Sequence, residues 1–391
     1  MELTGNYNLE IEIAGNQVPI VPHMIEELTI CQDIDRLVPT FTFRVKDVTK
    51  ILNLIVPYDK ESNDIRITFS RANRYDERNI FNVSAKKRRV LSDNSYEITG
   101  VLTTEGLFSP YRNRALPGIL RDNLIDIVDE IPEIVNYEIG KSLNVNKTVL
   151  QPYWTNAKLL RYLKQRIKGT GGELCYYVFI KNTEGMPTLV FKSINELFVS
   201  PIKYKFIVGA EPFEDYYPIS EYRIFDYSQF RTFFSAQTSI YHYFDYDTGT
   251  YQCSNELDIA NYPSLTEFHL VNKDDETETC GTFLGRKNDF SGDFQGRVGQ
   301  TFYDSITKSI YMWISTWGIE SIAPGDITQV LFAEAMNRGN LFVYQPSGFW
   351  MVKRVVHVLG STFMTNLLLV RNGVDTDMNT TLLEAEEVRK Q

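Results

Sequence analysis

Polar and apolar residues alternate through most of the first hundred positions. YNLEIEIAG, EELTICQDI, TFTFRVKDV, DIRITFS, NIFNVSAKKRRVL and SYEITGVLT each keep the two-residue period of a half-buried strand, with Asn, Asp, Gly and Ser between them. That spacing predicts a barrel or sandwich over residues 1–104. The period then lengthens. LPGILRDNLIDIVDEI (116–131) places Ile119, Ile127 and other apolar residues at helical spacing before Pro132. TNAKLLRYLKQRIKG predicts a second helix, with Thr155 as its cap, Leu159, Leu160, Leu163 and Ile167 as its stripe, and Gly169 as its stop. A strand pair follows at ELCYYVFIKN and TLVFKSIN, joined through TEGMP, so a new domain begins near residue 105.

Strands return over residues 206–246 with SEYRIFDYSQF and SAQTSIYHYFDYDTGTYQCS. Residues 254–297 are polar and irregular, and the acidic run KDDETE (273–278) reads as a solvated loop. In TFYDSITKSIYMWISTWGI (301–319), Ile306, Ile310, Trp313, Ile314 and Trp317 lie three or four apart and predict an amphipathic helix.

Near the end, PGDITQVLF (324–332) and GFWMVKRVVHVLGSTFMTNLLLVRNG (348–373) predict a three-strand meander that turns at Pro324–Gly325 and breaks at Gly360, Ser361 and Thr362. DIRITFSRANRYDERNIFNVSAKKRRVLSDNSYEITGVL (64–102) has nearly the same grammar: an Asp-Ile start, an Arg- and Asn-containing connection, a basic strand and an apolar strand. The pattern alone fits both a duplicated module and two unrelated meanders.

A chain of 391 residues has room for roughly two to four domains with ample core. Its 23 Tyr and 24 Phe against 4 Trp favour strands and interfaces over helical bundles. The expected class is therefore β-rich, α+β. A formal net charge of −10 argues against general affinity for a nucleic-acid backbone and against sequence-specific nucleic-acid binding. Cys31, Cys175, Cys253 and Cys280 form no CxxC or CxxH pair and read as small buried residues. MELTGNYNLEIEIAGN lacks the basic and apolar regions of a signal peptide, and no run approaches membrane-spanning length, which predicts a soluble protein made in a cytoplasm.

The chemistry of a catalyst is not visible, and no cofactor or metal is expected. His23, His242, His269 and His357 stand isolated, and His357, between Val356 and Val358, reads as a polar-face strand residue. GTGG (169–172) follows a helix and lacks the Lys-Ser/Thr of a phosphate loop. No GxSxG occurs, and acidic pairs such as Glu214–Asp215 or Asp126, Asp129 and Glu130 arise readily among 50 acidic residues. KKRR is the one concentrated basic patch. Strand alternation puts Lys86 and Arg88 on one face and Lys87 and Arg89 on the other, which suits a solvated or interface strand better than a nucleic-acid site.

PGD…FWMVKRVVHV…TNLLLVRNG resembles the closing strands of baseplate hub proteins of contractile tails, the T4-phage-like hub and its relatives in type VI secretion spikes. Trp154 ahead of a helix, followed by an aromatic hairpin, resembles the inserted domain of that family. The resemblance implies two tail-tube-like antiparallel β-barrel or sandwich domains with an inserted α+β domain. The first would be residues 1–104, the insertion 105–205, and the second 206–235 with 298–375; 236–297 would be an irregular insertion and 376–391 a charged tail. It further implies a non-enzymatic homotrimer of pseudo-sixfold symmetry, located in the virion tail baseplate and assembled in the host cytoplasm. Such a ring would adapt a sixfold tail tube to a threefold central spike and let DNA pass. Implied partners are the spike protein, the tail tube protein, and tape-measure and baseplate wedge proteins. Lys86 and Arg88, with Phe349, Trp350, Lys353 and Arg354, are the expected interface residues, although core packing accounts equally for the aromatic pair. A carbohydrate-binding or carbohydrate-active virion protein is the alternative, and it predicts aromatics on an exposed groove with facing carboxylates.

Overall fold

The computed structural model describes residues 7–18, 24–47, 63–72, 78–92, 94–208, 216–226, 241–245, 249–254, 268–269, 283–286, 300, 304, 307–308, 310–332 and 347–374. The KDDETE run and the charged tail from 376 onward lie outside them.

The N-terminal strands are β1 (Tyr7–Ile13), β2 (Asn16–Val18), β3 (Ile25–Asp33), β4 (Thr40–Lys46), β5 (Asp64–Arg71), β6 (Asn79–Ser92) and β7 (Ser95–Leu102). All but β2 coincide with a run of alternating residues in the sequence. Next come α1 (Glu105–Phe108), β8 (Arg112–Leu116), α2 (Leu120–Asp129), β9 (Asn136–Ile139), β10 (Val149–Trp154), α3 (Asn156–Lys164), β11 (Tyr176–Thr183), β12 (Met186–Ser193) and α4 (Ile194–Phe198). Both predicted helices form. At the start of α3 the Thr155 hydroxyl accepts from the Lys158 N–H at 3.3 Å, and Leu159, Leu160 and Leu163 are buried beneath it. Trp154 is half-buried against Tyr162, with ring centroids 5.0 Å apart.

The chain continues through β13 (Ile202–Val208), β14 (Tyr217–Asp226), β15 (Tyr241–Asp245), β16 (Thr250–Ser254), β17 (Phe268–His269), β18 (Phe283–Arg286), β19 (Ile310–Trp317), β20 (Ile327–Phe332), β21 (Gly348–Leu359), β22 (Phe363–Arg371) and β23 (Gly373–Val374). Strands β15 and β16, within the aromatic run expected to form strands, make a small sheet with β18 from the polar stretch expected to be irregular, and β17 pairs with β23.

One prediction fails here. The segment from Ile310 to Trp317 is a strand, β19, held between β14 and β22, and not a helix. IYMWISTW satisfies both periods, because Ile310, Met312 and Ile314 also alternate, and these three are its buried apolar residues. Pairing on both edges decides the matter.

Both expected meanders exist: β5–β6–β7 and β20–β21–β22 are consecutive antiparallel strands. The likeness extends to whole sheets. The first runs β1-β5-β6-β7-β4-β3, with β2 appended beside β1, and the second runs β13-β20-β21-β22-β19-β14. Numbered one to six along the chain, both have the order 1-4-5-6-3-2. In the second, parallel pairing of β13 with β14 and with β20 closes a six-stranded barrel. In the first, β1 is antiparallel to β5 and, among the described residues, does not pair with β3.

The β11–β12 hairpin lies between the two sheets. Its strands are apolar on both faces, as expected of strands covered on both sides. Tyr176, Val178, Ile180, Leu189 and Phe191 join the core of the first sheet and of α2 and α3. Their neighbours Tyr177, Phe179 and Val190 pack with Ile34, Ile327, Met351 and Val370 on the side of the second sheet. Phe179 is fully buried at that contact. Phe179→Ala is therefore expected to lower unfolding stability by about 3–5 kcal/mol, measured by urea denaturation.

Candidate assembly surface

Strand β21 holds the two sheets together. Its first residues pair with β20, from Gly348↔Val330 to Met351↔Ile327, and its last six pair with β3, from Arg354↔Asp33 to Leu359↔Leu28. Strand β22 lies along its other edge from Met351 to Leu359. The change of partner coincides with a bulge: Val352 faces Leu369 and Arg354 faces Leu368, so Lys353 is the extra residue. The Lys353 carbonyl accepts from the Ile34 N–H at 3.0 Å.

Charged side chains gather at this bend. Arg354 Nε donates to the almost fully buried Asp33 carboxylate at 2.6 Å. Lys353 Nζ lies 3.1 Å from Asp35, Lys308 Nζ bridges Asp35 and Asp304 at 2.7 Å each, and the Tyr177 hydroxyl donates to Asp304 at 2.6 Å. Burial alone would raise the Asp35 carboxyl, but the Lys308 and Lys353 ammonium groups outweigh it and hold Asp35 below the usual carboxylate range. Burial likewise disfavours the Lys308 ammonium, and Asp304 and Asp35 reverse the effect and raise it. Paired in this way, the cluster is a structural joint and not a poised acid or base. Among the described residues, no group of three or more His, Cys, Asp or Glu could hold a metal ion, and no helix is long and apolar enough to cross a membrane.

The first sheet carries the same bulge. Ala85 faces Gly100 and Lys87 faces Thr99, leaving Lys86 as the extra residue of β6. Just before it, the Ala85 N–H donates to the Asn63 carbonyl at 2.8 Å, as the Val352 N–H donates to the Asp326 carbonyl at 2.9 Å. A second pair of bulges matches at Glu26 in β3 and Ser220 in β14. Aligning on the bulges puts whole rows in correspondence: Glu27–Arg44–Glu97–Arg89 across β3, β4, β7 and β6, and Glu221–Ser315–Asn366–Val356 across β14, β19, β22 and β21.

The correspondence ends at two strand edges. The second row continues from Val356 to Cys31 of β3. The first stops at Arg89, because β5 accompanies β6 only as far as Ser84. Beyond Ala85, whose N–H donates to the Asn63 carbonyl, β7 is the one strand that pairs with β6 among the described residues. Strand β14 has β13 beside it only at Tyr217 and Pro218, and beyond them β19 is its one neighbour among the described residues. Apolar side chains stand out along both edges: Val90 is 59% and Leu91 42% exposed, and Tyr222, Ile224 and Phe225 are 43%, 37% and 43% exposed.

The residues expected at an interface divide accordingly. Lys86 is exposed on β6, and its ammonium lies 3.0 Å from the Ser84 hydroxyl. The bulge at Lys86 interrupts the alternation that would have put it on one face with Arg88, which is half-buried. Phe349 is 36% exposed, whereas Trp350 is fully buried with the Arg371 guanidinium 4.3 Å from its ring centre. Lys353 and Arg354 are engaged within the chain by Asp35 and Asp33. Sequence reasoning missed these two acids, although QDID (32–35) is the acidic complement of the Lys-Arg pair. His357 corrects another expectation: it is fully buried between Phe69 and Phe363, ring centroids 5.5 and 5.8 Å away. Its Nδ1 lies 3.3 Å from the Thr365 hydroxyl, and Nε2 has no partner among the described residues.

These features define a tandem β-module fold: one strand order used twice, an α+β insertion between, and a joint on a branched strand. No known family model matches the sequence, and no curated protein matches it. Solved structures share the fold. The tail protein from Neisseria meningitidis MC58 is 11% identical with a TM-score of 0.57, over 94% of this chain and 98% of that one. The 43 kDa tail protein of prophage MuSo2 from Shewanella oneidensis is 12% identical at 0.57, with the same coverage. The E. coli c3393 protein, a type VI secretion component described as similar to the T4 tail proteins gp27 and gp5, is 9% identical at 0.50, over 94% and 79%. The chain thus has the fold of these phage tail proteins and of that type VI secretion component.

Two outcomes follow from the joint. Arg354→Ala strands a buried carboxylate, and because Arg354 itself is 38% exposed the expected loss is about 2 kcal/mol, below that for a fully buried pair, measured by urea denaturation. Burial lowers His357 from 6.5 to about 3. Between those values the unfolded chain binds more protons than the folded one, so this contribution is complete above pH 6.5 and is lost as pH falls towards 3. His357→Leu is expected to flatten the stability–pH curve between these limits by up to about 1.4 kcal/mol per pH unit.

Proposed function

We propose that this chain is a structural, non-enzymatic hub of a contractile-tail baseplate, acting as a homotrimer whose six modules form a pseudo-sixfold ring. The observation that carries the reading is the repeated strand order with matched bulges. Three copies of such a chain offer six nearly equivalent module surfaces to a sixfold tail tube, while the chain itself repeats only three times around the axis of a threefold spike. The proposed units are the two modules, 1–104 and 206–235 with 298–375, around the 105–205 insertion. Lys86, Arg88 and Phe349 belong to contact surfaces in this reading, and Lys353, Arg354 and Trp350 to the joint that sets the angle between modules. The net charge of −10 suits a ring through which DNA passes without being held. Tail tube and spike proteins, and beyond them tape-measure and wedge proteins, are the partners, and the virion tail is the location after assembly in the host cytoplasm.

Light scattering on the purified chain tests this. The expected mass is three times 45.2 kDa, rising by three spike subunits when the neighbouring spike protein is added. A single-chain mass unchanged by that protein would refute the ring.

A further inference from the structure

We infer that the seam between the modules, where the end of β21 pairs with β3, is an acid-operated hinge: a proton taken up at His357 parts β21 from β3 while each module keeps its own sheet. A single chain suffices for it, whatever that chain assembles into. The six pairs from Arg354↔Asp33 to Leu359↔Leu28 are the one place, among the described residues, where a strand of the first sheet pairs with a strand of the second. When they part, β3 retains β4, and β21 retains β22 along the same residues and β20 ahead of the Lys353 bulge. Neither sheet needs the seam to remain a sheet, and the bulge supplies the pivot.

His357 stands inside that seam, between Ile30 of β3 and Thr365 of β22, with the rings of Phe69 from the first module and Phe363 from the second against it. None of these four ionises. The charged groups on the elements around it are engaged elsewhere. Arg354 and Asp33 pair with each other at the far end of the seam. After β19, the buried Glu320 carboxylate accepts the N–H of Arg71, on β5, at 2.7 Å. On β1 the Tyr7 hydroxyl donates to the Gly360 carbonyl. An imidazolium has two N–H donors, and here only Nδ1 has an oxygen within reach, that of Thr365, while Nε2 has no partner among the described residues. Burial accordingly lowers His357 from 6.5 to about 3. Water admitted between parted strands would solvate the cation. Below pH 6.5 the open seam therefore binds a proton that the closed seam refuses, and each further pH unit down to about 3 favours opening by up to about tenfold. Asp35, which Lys308 and Lys353 hold below its ordinary 3.8 against the opposing effect of burial, adds to the loss only below that value.

Amide hydrogen exchange on the full chain tests the hinge, with each rate divided by its intrinsic value at that pH so that protection alone is compared. Between pH 7.5 and 4.5, protection of residues 28–33 and 354–359 is expected to fall by roughly ninetyfold, the linkage of one group that titrates at 6.5 when open and about 3 when closed. Strands β7 and β19, each inside one module, are expected to change by less than about threefold. His357→Leu is expected to leave the seam's protection level over the same range. Val356→Cys, oxidised onto native Cys31 directly across the seam, ties β21 to β3 with His357 still in place and is expected to hold the protection as well. Seam protection that stays level in the natural chain would overturn the hinge. Equal loss in β7 and β19 would also overturn it, since the whole chain then unfolds together. An undiminished fall in His357→Leu would overturn the assignment to His357, and one in the oxidised Val356→Cys chain would show that the strands need not part.

Discussion

A one-residue bulge at Lys353 lets a single strand serve two sheets, and the rest of the architecture depends on it. A regular strand of twelve residues would keep the same neighbour along each edge. The extra residue bends β21 away from β20 and brings its last six residues beside β3. Backbone hydrogen bonds then join the modules as continuously as they join strands within one. Register is fixed because a slip of one residue would turn Leu28, Ile30, Val355 and Leu359 out of the core. It would also separate Arg354 from Asp33, leaving a buried carboxylate unpaired.

The hairpin follows from the same bend. Two sheets meeting at an angle along one strand leave a wedge open on one side, and β11–β12 fills it with apolar residues on both faces. Polar groups bond from the hairpin to the first module and from the first module to the second. The Asn182 N–H donates to Gln32 Oε1 at 2.8 Å, and its side-chain amide donates to the Ile80 carbonyl at 2.6 Å. Asn79 donates to the Glu320 carbonyl at 2.8 Å, and the Tyr7 hydroxyl to the Gly360 carbonyl at 2.6 Å. Such bonds cost little when made and much when lost, so they hold the angle between modules more than they add to stability.

What the sequence reveals is the part encoded locally. Strands β1 and β3 to β7, helix α3 with its Thr155 cap, the aromatic hairpin and both meanders follow from period and punctuation. Strand β19 did not, because Ile310, Met312, Trp313 and Ile314 fit either period and only the edges of β14 and β22 choose between them. His357 misled because a lone polar residue among valines looks like a surface position, whereas here it lies where the two modules touch. The bulges were invisible for a deeper reason. A bulge is a relation between two strands, and neither Lys86 nor Lys353 carries a local sign of it. The joint between modules was half legible: the basic pair stood out, but its acidic complement lies more than three hundred residues away in sequence.

The two modules keep their bulges and change the chemistry along equivalent rows, and the difference has a physical sense. Arg44 pairs with Glu97 at 2.9 Å and lies 3.7 Å from Glu27, so the first row alternates in charge and ends at Arg89. In the second row Glu221 is the one charged member, Ser315 bonds Asn366 at 2.8 Å and Val356 meets Cys31. The joint inside the chain is formed once, at high effective concentration, and needs no discrimination between partners. A strand edge outside such a joint is a template for any strand that passes, and cationic side chains restrict it. Lys86, Lys87 and Arg89 therefore limit what can pair with β6, whereas the uncharged Val356 lets β21 take β3 within the chain.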